Sequence, residues 1–242
     1  MDNKQLLNII NQLSKLTVNR LKDKGLISLY LAGTILSKDR TKHSDIDLFG
    51  IVDHFNFKEE EKLNQWFEKK RKTLCGGFEC RFRGIPLRTL QCGKREGVTK
   101  FLHPQRLIRL FPFWKQLWGE KFNFEQKQFV KPMPLKKEAV WLIQILNKDL
   151  KKVQAGAQAY LLINYPKNII QLIRVEAEHD LGFKFHPSYV ELQKHLSKQK
   201  KHIIHEAIRL RNKGFTLKDV ATFTLEVEKY LTEMRKKIKE WK

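Results

Sequence analysis

Two apolar runs joined by a polar loop constrain the fold of this 242-residue chain more than any other feature. The first run, Leu26–Ala32, ends at Gly33-Thr34, and the second, Ile46–Val52, directly follows Asp45. Both runs are nearly continuous in apolar residues, which is typical of strands covered on both faces. The stretch therefore predicts two strands at the centre of a layered domain, with a turn and a polar loop at one end.

A pair of carboxylates, Asp45 and Asp47, stands at the start of the second run. Side chains two residues apart on a strand point to the same face. Adjacent carboxylates repel each other unless a cation lies between them, and hard oxygen ligands favour Mg²⁺. Such a pair can hold two metal ions roughly 3.5–4 Å apart for phosphoryl or nucleotidyl transfer.

The Gly33-Thr34 turn and the loop after it suit an anion. A glycine at a strand-to-helix turn lets backbone N–H groups approach a phosphate, and the start of a helix favours negative charge. Lys38 and Ser44 are the loop residues that we expect to contact a nucleotide. Each motif alone is weak, since Asp-x-Asp is often solvated charge at a strand end. Together they offer binding groups for both the phosphates and the magnesium of a magnesium-bound nucleoside triphosphate.

The whole combination resembles the signature of the DNA polymerase beta superfamily of nucleotidyltransferases: strand, Gly-Thr, polar loop, Ser-Asp-Ile-Asp, strand. The resemblance covers residues 27–52 closely and 53–124 loosely. It implies a small mixed sheet flanked by helices. It also implies transfer of a nucleoside monophosphate from an NTP to an acceptor hydroxyl, with release of pyrophosphate. By this resemblance, Gly33 and Thr34 of this chain would hold the triphosphate, and Asp45 and Asp47 would bind two magnesium ions.

The family usually has a third carboxylate on a later strand, and Glu79 is the candidate for that catalytic role. Strand alternation puts Glu79, Arg81 and Arg83 on one face. Glu79 could equally be paired with these arginines on an exposed face. If Arg81 or Arg88 takes the place of the acid, the enzyme is weakened, inactive or dependent on two carboxylates only.

The remaining pattern predicts an α+β protein with two domains, 1–130 and 131–242. Two prolines make Lys131–Pro134 the best linker. Before it we expect helices over residues 3–24 and Phe57–Leu74, and strands over Phe78–Arg83 and Ile85–Leu90. After it the periodicity predicts an all-helical bundle. Its helices are expected over Leu135–Val153, Gly156–Tyr165, Asn168–Leu181, Tyr189–Leu196, Lys200–Leu210 and Leu217–Trp241, with a break at Pro166 and an N-cap at Thr216.

The net charge of +22 favours a polyanionic partner and helps to choose the acceptor. Aminoglycosides are polycations, so enzymes acting on them should present acidic pockets, which this composition does not favour. RNA, such as a tRNA-like 3′ end, fits better. Four basic residues are candidates for RNA contact: Arg106, Arg109, Lys115 and Lys201.

Residues 98–124 are rich in aromatic as well as basic side chains. The aromatics could stack on the bases of a single strand. The preferred interpretation is that most of them are core, with Phe111 and Trp114 among the residues that join the two domains.

Other functions remain open from the residues alone. A nucleotidyltransferase of the antitoxin kind would modify a protein hydroxyl, and a non-catalytic RNA-binding protein could keep the fold without the third carboxylate. The spacing Arg174-x4-His179 matches a short pattern of HEPN ribonucleases. A surface pair between Arg174 and Glu178 is the simpler interpretation.

The three cysteines form no even framework and no paired metal motif, which argues for a reducing compartment. The sequence shows no signal peptide and no transmembrane run, so we expect a soluble cytoplasmic protein with no membrane partner.

Overall fold

The computed structural model describes residues 2–33, 35, 39–40, 44–54, 56–100, 102–156, 159–183, 188–196, 202–213 and 216–241. The chain divides into two compact units, Met1–Met133 and Pro134–Lys242. Over the described ranges, none of the helices is both long and apolar enough to cross a membrane.

The first unit is built around a mixed sheet with strand order β3-β2-β1-β4. β1 is antiparallel to both β2 and β4, whereas β2 and β3 are parallel. The strands are β1 (Leu26–Ala32), β2 (Ile46–Val52), β3 (Cys80–Pro86) and β4 (Lys115–Gly119). The helices are α1 (Asn3–Leu21), α2 (Phe57–Lys69), α3 (Leu87–Cys92) and α4 (Pro104–Leu110), with short 3₁₀ helices at Lys22–Lys24, Gly97–Lys100 and Phe111–Phe113.

One face of the sheet is covered by α1 and α2. Asp2 caps α1 in a reciprocal pair of hydrogen bonds with Gln5, which satisfies two backbone donors at the helix start. The inward side chains of both helices share a fully buried core with the β-strand residues Ile46 and Leu48. The predicted central position of β1 and β2 is therefore confirmed.

The other face is covered by aromatic side chains. The rings of Phe111 and Phe124 are stacked with centroids 4.6 Å apart, and both are buried beside β-strand residues Tyr30 and Phe49. The prediction that most aromatic side chains of residues 98–124 are core is thus confirmed at Phe111 and Phe124. Phe113, in contrast, is 45% exposed.

Side chains of α2 cover the outer edge of β3. Asn64 accepts a hydrogen bond from the Phe82 N–H at 2.7 Å and donates one to the Phe82 carbonyl at 2.9 Å. Glu60 accepts one from the Gly84 N–H at 2.7 Å. Polar groups that an edge strand would present to solvent are thus bonded within the unit.

The predicted second strand over Ile85–Leu90 is wrong. β3 runs through Gly84 to Pro86, paired residue by residue with β2, and α3 begins at Leu87. Proline has no N–H for a further ladder bond, and its fixed backbone geometry can lead into a helix. The chain therefore changes from strand to helix at Pro86 rather than turning at Gly84.

β4 was not predicted as a strand. It pairs with β1, with Trp118 opposite Leu29 and Lys115 opposite Leu31. At its end Gly119 has φ +88°, and a Cβ atom placed on it would lie 2.1 Å from the carbonyl oxygen of Ile27. This close approach of two backbones requires glycine.

The described residues of the second unit form helices and the segments that connect them. Its helices are α5 (Leu135–Gln154), α6 (Ala159–Leu181), α7 (Tyr189–Leu196), α8 (Ile204–Lys213) and α9 (Leu217–Glu240). Their apolar faces form one buried core. The predicted α+β class is confirmed: a small mixed sheet flanked by helices, followed by a helical bundle. The predicted cap is confirmed too, since Thr216 forms a capping box with Asp219 at the start of α9.

The predicted break at Pro166 is wrong, because α6 continues through it. An interior proline costs about 3 kcal/mol in a helix. Tyr165, Ile169, Ile170 and Ile173, on both sides of it, are each at most 1% exposed in the same core. Burying these large side chains together offsets the cost of the lost hydrogen bond.

The Arg174-x4-His179 pattern is part of this packing. Arg174 is 3% exposed, and its guanidinium lies 4.6 Å from the centre of the Tyr189 ring. The expected location of Arg174 on the helix surface is therefore wrong. His179 stacks on Trp241 with ring centres 4.1 Å apart.

A polar network inside the second unit centres on Glu176. Its carboxylate accepts hydrogen bonds from the Tyr230 hydroxyl and the Lys237 ammonium, both at 2.6 Å, and His202 Nε2 lies 3.8 Å away. Burial alone would raise the pKa of Glu176, but the nearby His202 and the hydrogen bonds from Lys237 and Tyr230 outweigh it and lower the pKa to about 2. The carboxylate is therefore held ionised.

This network predicts that acid weakens the second unit. Because the folded-state pKa of Glu176 lies below its ordinary value of 4.5, the ionised form contributes stability above that pH. The contribution is lost as pH falls from 4.5 toward 2 and is on the order of 2–3 kcal/mol. We expect Glu176→Gln to unfold at lower urea concentration at pH 6 and to lose less stability than wild type between pH 5 and pH 3. Glu240→Gln, at an exposed position of α9, is the matched control. Equal pH slopes for wild type and Glu176→Gln would contradict the assignment.

Candidate functional site

The Gly33 turn lies beside Asp47. Ala32 at the end of β1 pairs with Asp47 near the start of β2, so the next residue, Gly33, stands beside that carboxylate. Gly33 has φ +85°, and a Cβ atom placed on it would lie 3.6 Å from Asp47 Oδ2. The turn and the carboxylate that sequence spacing linked are therefore neighbours in space.

The two predicted metal-binding aspartates differ in setting. Asp47 lies in β2, on the same face as Phe49 and Ile51, and its side chain is 21% exposed. Asp45 directly precedes the strand and is half-buried. Their neighbours Ile46 and Leu48 are fully buried on the opposite face. β2 thus presents a carboxylate near its start, while Ile46 and Leu48 on its opposite face anchor the strand in the core.

Arg83 is the residue of β3 that approaches the carboxylate. The parallel register places Arg81 opposite Asp47 and Arg83 opposite Phe49. The Arg83 guanidinium lies 3.9 Å from Asp47 Oδ1 and 5.7 Å from the centre of the Phe49 ring. Strand alternation predicts the face on which Arg83 lies but not its contact with Asp47. Combining the side-chain alternation of β3 with a parallel pairing to β2 would have predicted that Arg83 lies near Asp47.

Glu79 forms an ion pair with Arg81. It precedes β3, and its carbonyl accepts a hydrogen bond from the Ile46 N–H at 2.8 Å. Its side chain is 36% exposed. Its role as the third catalytic carboxylate stays a prediction. The pairing with Arg81 is the alternative that the sequence left open.

The remaining loop residues are only partly described. Ser44 is 5% exposed, immediately before Asp45. Asp39, which no sequence motif indicated, is a further buried acid, 7% exposed. Thr34 and Lys38, predicted to contact the nucleotide, lie outside the described residues.

The four candidates for RNA contact have unlike surroundings. Arg106 in α4 is 8% exposed and offers little surface to a phosphate. Arg109 is half-buried, and Lys115 at the start of β4 is exposed. Lys201 lies outside the described residues. RNA contact by Arg109 and Lys115 stays a prediction.

The carboxylate oxygens of Asp45 and Asp47 suit a magnesium ion whose other ligands come from the substrate. Mg²⁺ is commonly held by one or two carboxylates together with phosphates and waters. Over the described ranges, no three acidic, histidine or cysteine side chains are grouped to hold a metal. The aspartates and a triphosphate at the Gly33 turn would supply the oxygen ligands between them.

Comparison with known proteins identifies a structural relative. No protein-family model and no curated protein matches the sequence. Among solved structures, the fold is similar to that of spectinomycin adenyltransferase AAD(9) from Enterococcus faecialis, a structure with ATP and spectinomycin. The TM-score is 0.62 at 15% identity, over 93% of this chain and 99% of that chain. The chain therefore shares the fold of a nucleotidyltransferase along nearly its whole length.

Proposed function

We propose that this protein is a nucleotidyltransferase that transfers a nucleoside monophosphate from an NTP to an acceptor hydroxyl. The observation that carries the proposal is the position of the Gly33 turn beside Asp47, whose Oδ2 would lie 3.6 Å from a Cβ atom placed on Gly33. This position supports the proposal because a turn suited to phosphate lies beside a carboxylate suited to a cation. The fold is shared with an adenyltransferase whose structure contains ATP.

Each part of the site has a role in this proposal. The Gly33-Thr34 turn, with Lys38 and Ser44 of the loop, binds the triphosphate. Asp45 and Asp47 would hold magnesium, for which two ions are expected. When bound, magnesium neutralises charge on the phosphates and on the attacking and leaving oxygens.

The proposed reaction is an in-line displacement at the α-phosphorus. A bond forms between the acceptor oxygen and the α-phosphorus, the bond from that phosphorus to the bridging oxygen breaks, and pyrophosphate leaves. The acceptor hydroxyl releases its proton. Glu79 is the candidate to receive it, provided that its carboxylate turns away from Arg81.

The charges around the site favour RNA as the acceptor. Asp47 faces Arg83, Glu79 is paired with Arg81, and Glu96 is paired with Arg88. Carboxylates already engaged by arginine are a poor match for a polycation such as an aminoglycoside. A polyanion fits both these surroundings and the net charge of +22. We therefore propose an RNA hydroxyl, such as a tRNA-like 3′ end.

The Glu79–Arg81 pair also supports a second candidate function. If Glu79 stays bound to Arg81, the described strand β3 supplies no third carboxylate to the reaction centre. The protein would then bind RNA and nucleotide with little or no transfer.

Labelled nucleotides distinguish the candidates. The full-length protein is incubated with each α-³²P-labelled NTP, Mg²⁺ and total RNA, beside the Asp45→Ala/Asp47→Ala variant. We expect label to enter RNA with the wild type alone. Label on protein would support an antitoxin-like activity, and RNA retention without label from any NTP would exclude both enzymatic functions.

A further inference from the structure

We propose that the pocket along the outer edge of β3 is the acceptor subsite, and that it binds the phosphate-bearing strand next to the reacting hydroxyl of an RNA. This inference rests on the proposed nucleotidyl transfer and adds the place and chemical class of the acceptor. Its support comes from the order of the strands, the size of the pocket and the charges on its wall.

The strand order gives the two sides of Asp47 different neighbours. β2 lies between β1, which ends at the Gly33 turn, and β3, which carries Arg83. Asp47 Oδ2 faces Gly33 and Asp47 Oδ1 faces Arg83. In an in-line displacement the attacking and leaving oxygens are on opposite sides of the phosphorus. With the triphosphate at Gly33, the acceptor approaches from the β3 side.

An open pocket of about 870 Å³ lies on that side. The edge of β3 forms one wall, with Arg81 and Arg83. α2 contributes Asn64 and Glu60. The remaining side is lined by Glu96, Gly97, Lys100 and Leu102. This volume is in the range of sites that bind small molecules or nucleotides. Arg83 belongs both to the pocket wall and to the surroundings of Asp47, so an acceptor in the pocket reaches the reaction centre.

The charged groups of the wall suit an anion. Glu60 accepts a hydrogen bond from the Gly84 N–H, and burial raises the pKa of its carboxyl. Glu96 is paired with both Arg88 and Lys94. The carboxylates are thus directed to partners within the unit, while the exposed Lys100 stands in the wall with the arginines. Cations in a concave wall of this kind attract phosphate oxygens.

The same pocket has an apolar side suited to a base. Phe57 at the start of α2 lies in its lining and is 62% exposed. Leu102 lies in the lining as well. An exposed aromatic ring beside cations is the arrangement by which proteins hold a single nucleic acid strand, through stacking and phosphate contact together. A protein acceptor would require neither feature.

The test compares charge variants of Lys100. Binding of a 5′-fluorescein decaribonucleotide to the full-length protein is measured by fluorescence anisotropy at several salt concentrations. We expect the affinity to fall about tenfold in Lys100→Glu and by less in Lys100→Ala, with a shallower salt dependence in both. Lys127→Glu, the same charge change at an exposed position of the same unit outside this pocket, should change the affinity about twofold or less. Equal losses in Lys100→Glu and Lys127→Glu would overturn the proposal.

A second readout separates this inference from the proposed function. Binding of ATP with Mg²⁺ is measured by calorimetry on the same variants, and we expect the affinity of Lys100→Glu to match wild type within about twofold. Equal losses of ATP and RNA affinity would place the triphosphate in this pocket and overturn the acceptor assignment. If wild type fails to bind any NTP, the proposed transfer itself is wrong. If label enters RNA equally well with Lys100→Glu and with wild type, the proposed transfer is retained but the acceptor subsite is wrong.

Discussion

Replacing Asp47 by asparagine is expected to lower the rate of nucleotidyl transfer by about a thousandfold or more. The change keeps the size and shape of the side chain but removes the negative charge proposed to hold magnesium. Loss of that charge removes several kcal/mol of transition-state stabilisation, and each 1.4 kcal/mol is about a factor of ten in rate. The rate is measured as transfer of label from an α-³²P NTP to RNA.

The fold should survive this change. Asp47 and Arg83 lie 3.9 Å apart with side chains 21% and 30% exposed, a pair worth about 1 kcal/mol or less. Asp53→Asn is the matched control, since this aspartate directly follows the same strand and its side chain is 78% exposed. We expect Asp53→Asn to transfer at the wild-type rate and both variants to keep the wild-type circular dichroism. Full activity in Asp47→Asn would remove this carboxylate from the mechanism.

The largest effect on stability is expected from Gly119→Ala. The new Cβ atom would lie 2.1 Å from the Ile27 carbonyl oxygen and 2.6 Å from the Ser28 Cα. Both are backbone atoms, so β4 has to separate from β1 at this end. We expect a loss of about 3 kcal/mol or more from the first unit, which lowers its melting temperature by about 10 °C or more. Differential scanning calorimetry of the full-length protein measures it.

Gly77→Ala measures the cost of a left-handed backbone at a position where the new Cβ atom meets no steric clash. Gly77 has nearly the same backbone geometry, φ +86°, but a Cβ atom placed there meets nothing within 4 Å. It should cost only the left-handed conformation, about 1–2 kcal/mol. Equal destabilisation by the two variants would show that the contact between β4 and β1 at Gly119 is not close.

Local pattern was enough to predict the centre of the first unit. The apolar runs of β1 and β2 are buried on both faces of the sheet, and the spacing around Gly33 and Asp47 is local in sequence. Their proximity follows from one antiparallel pairing. The same holds for the Thr216 cap, whose partner Asp219 is three residues away.

Long-range packing decided the features that sequence did not predict. β4 forms because it pairs with β1, which is some ninety residues earlier, and its own alternation is weak. α6 passes through Pro166 because both halves share one core. Arg83 meets Asp47 only through the parallel register of β3 on β2. In each case the energy that decides the outcome comes from residues distant in sequence.

The hydrogen bonds from α2 to the outer edge of β3 have a consequence for how copies of this protein associate. An edge strand with open N–H and carbonyl groups can recruit a strand from another molecule. Here Asn64 and Glu60 already occupy the groups at Phe82 and Gly84. Another copy cannot extend the sheet at those positions without first displacing the helix. The contacts that shape one wall of the pocket thereby oppose strand-to-strand aggregation at this edge.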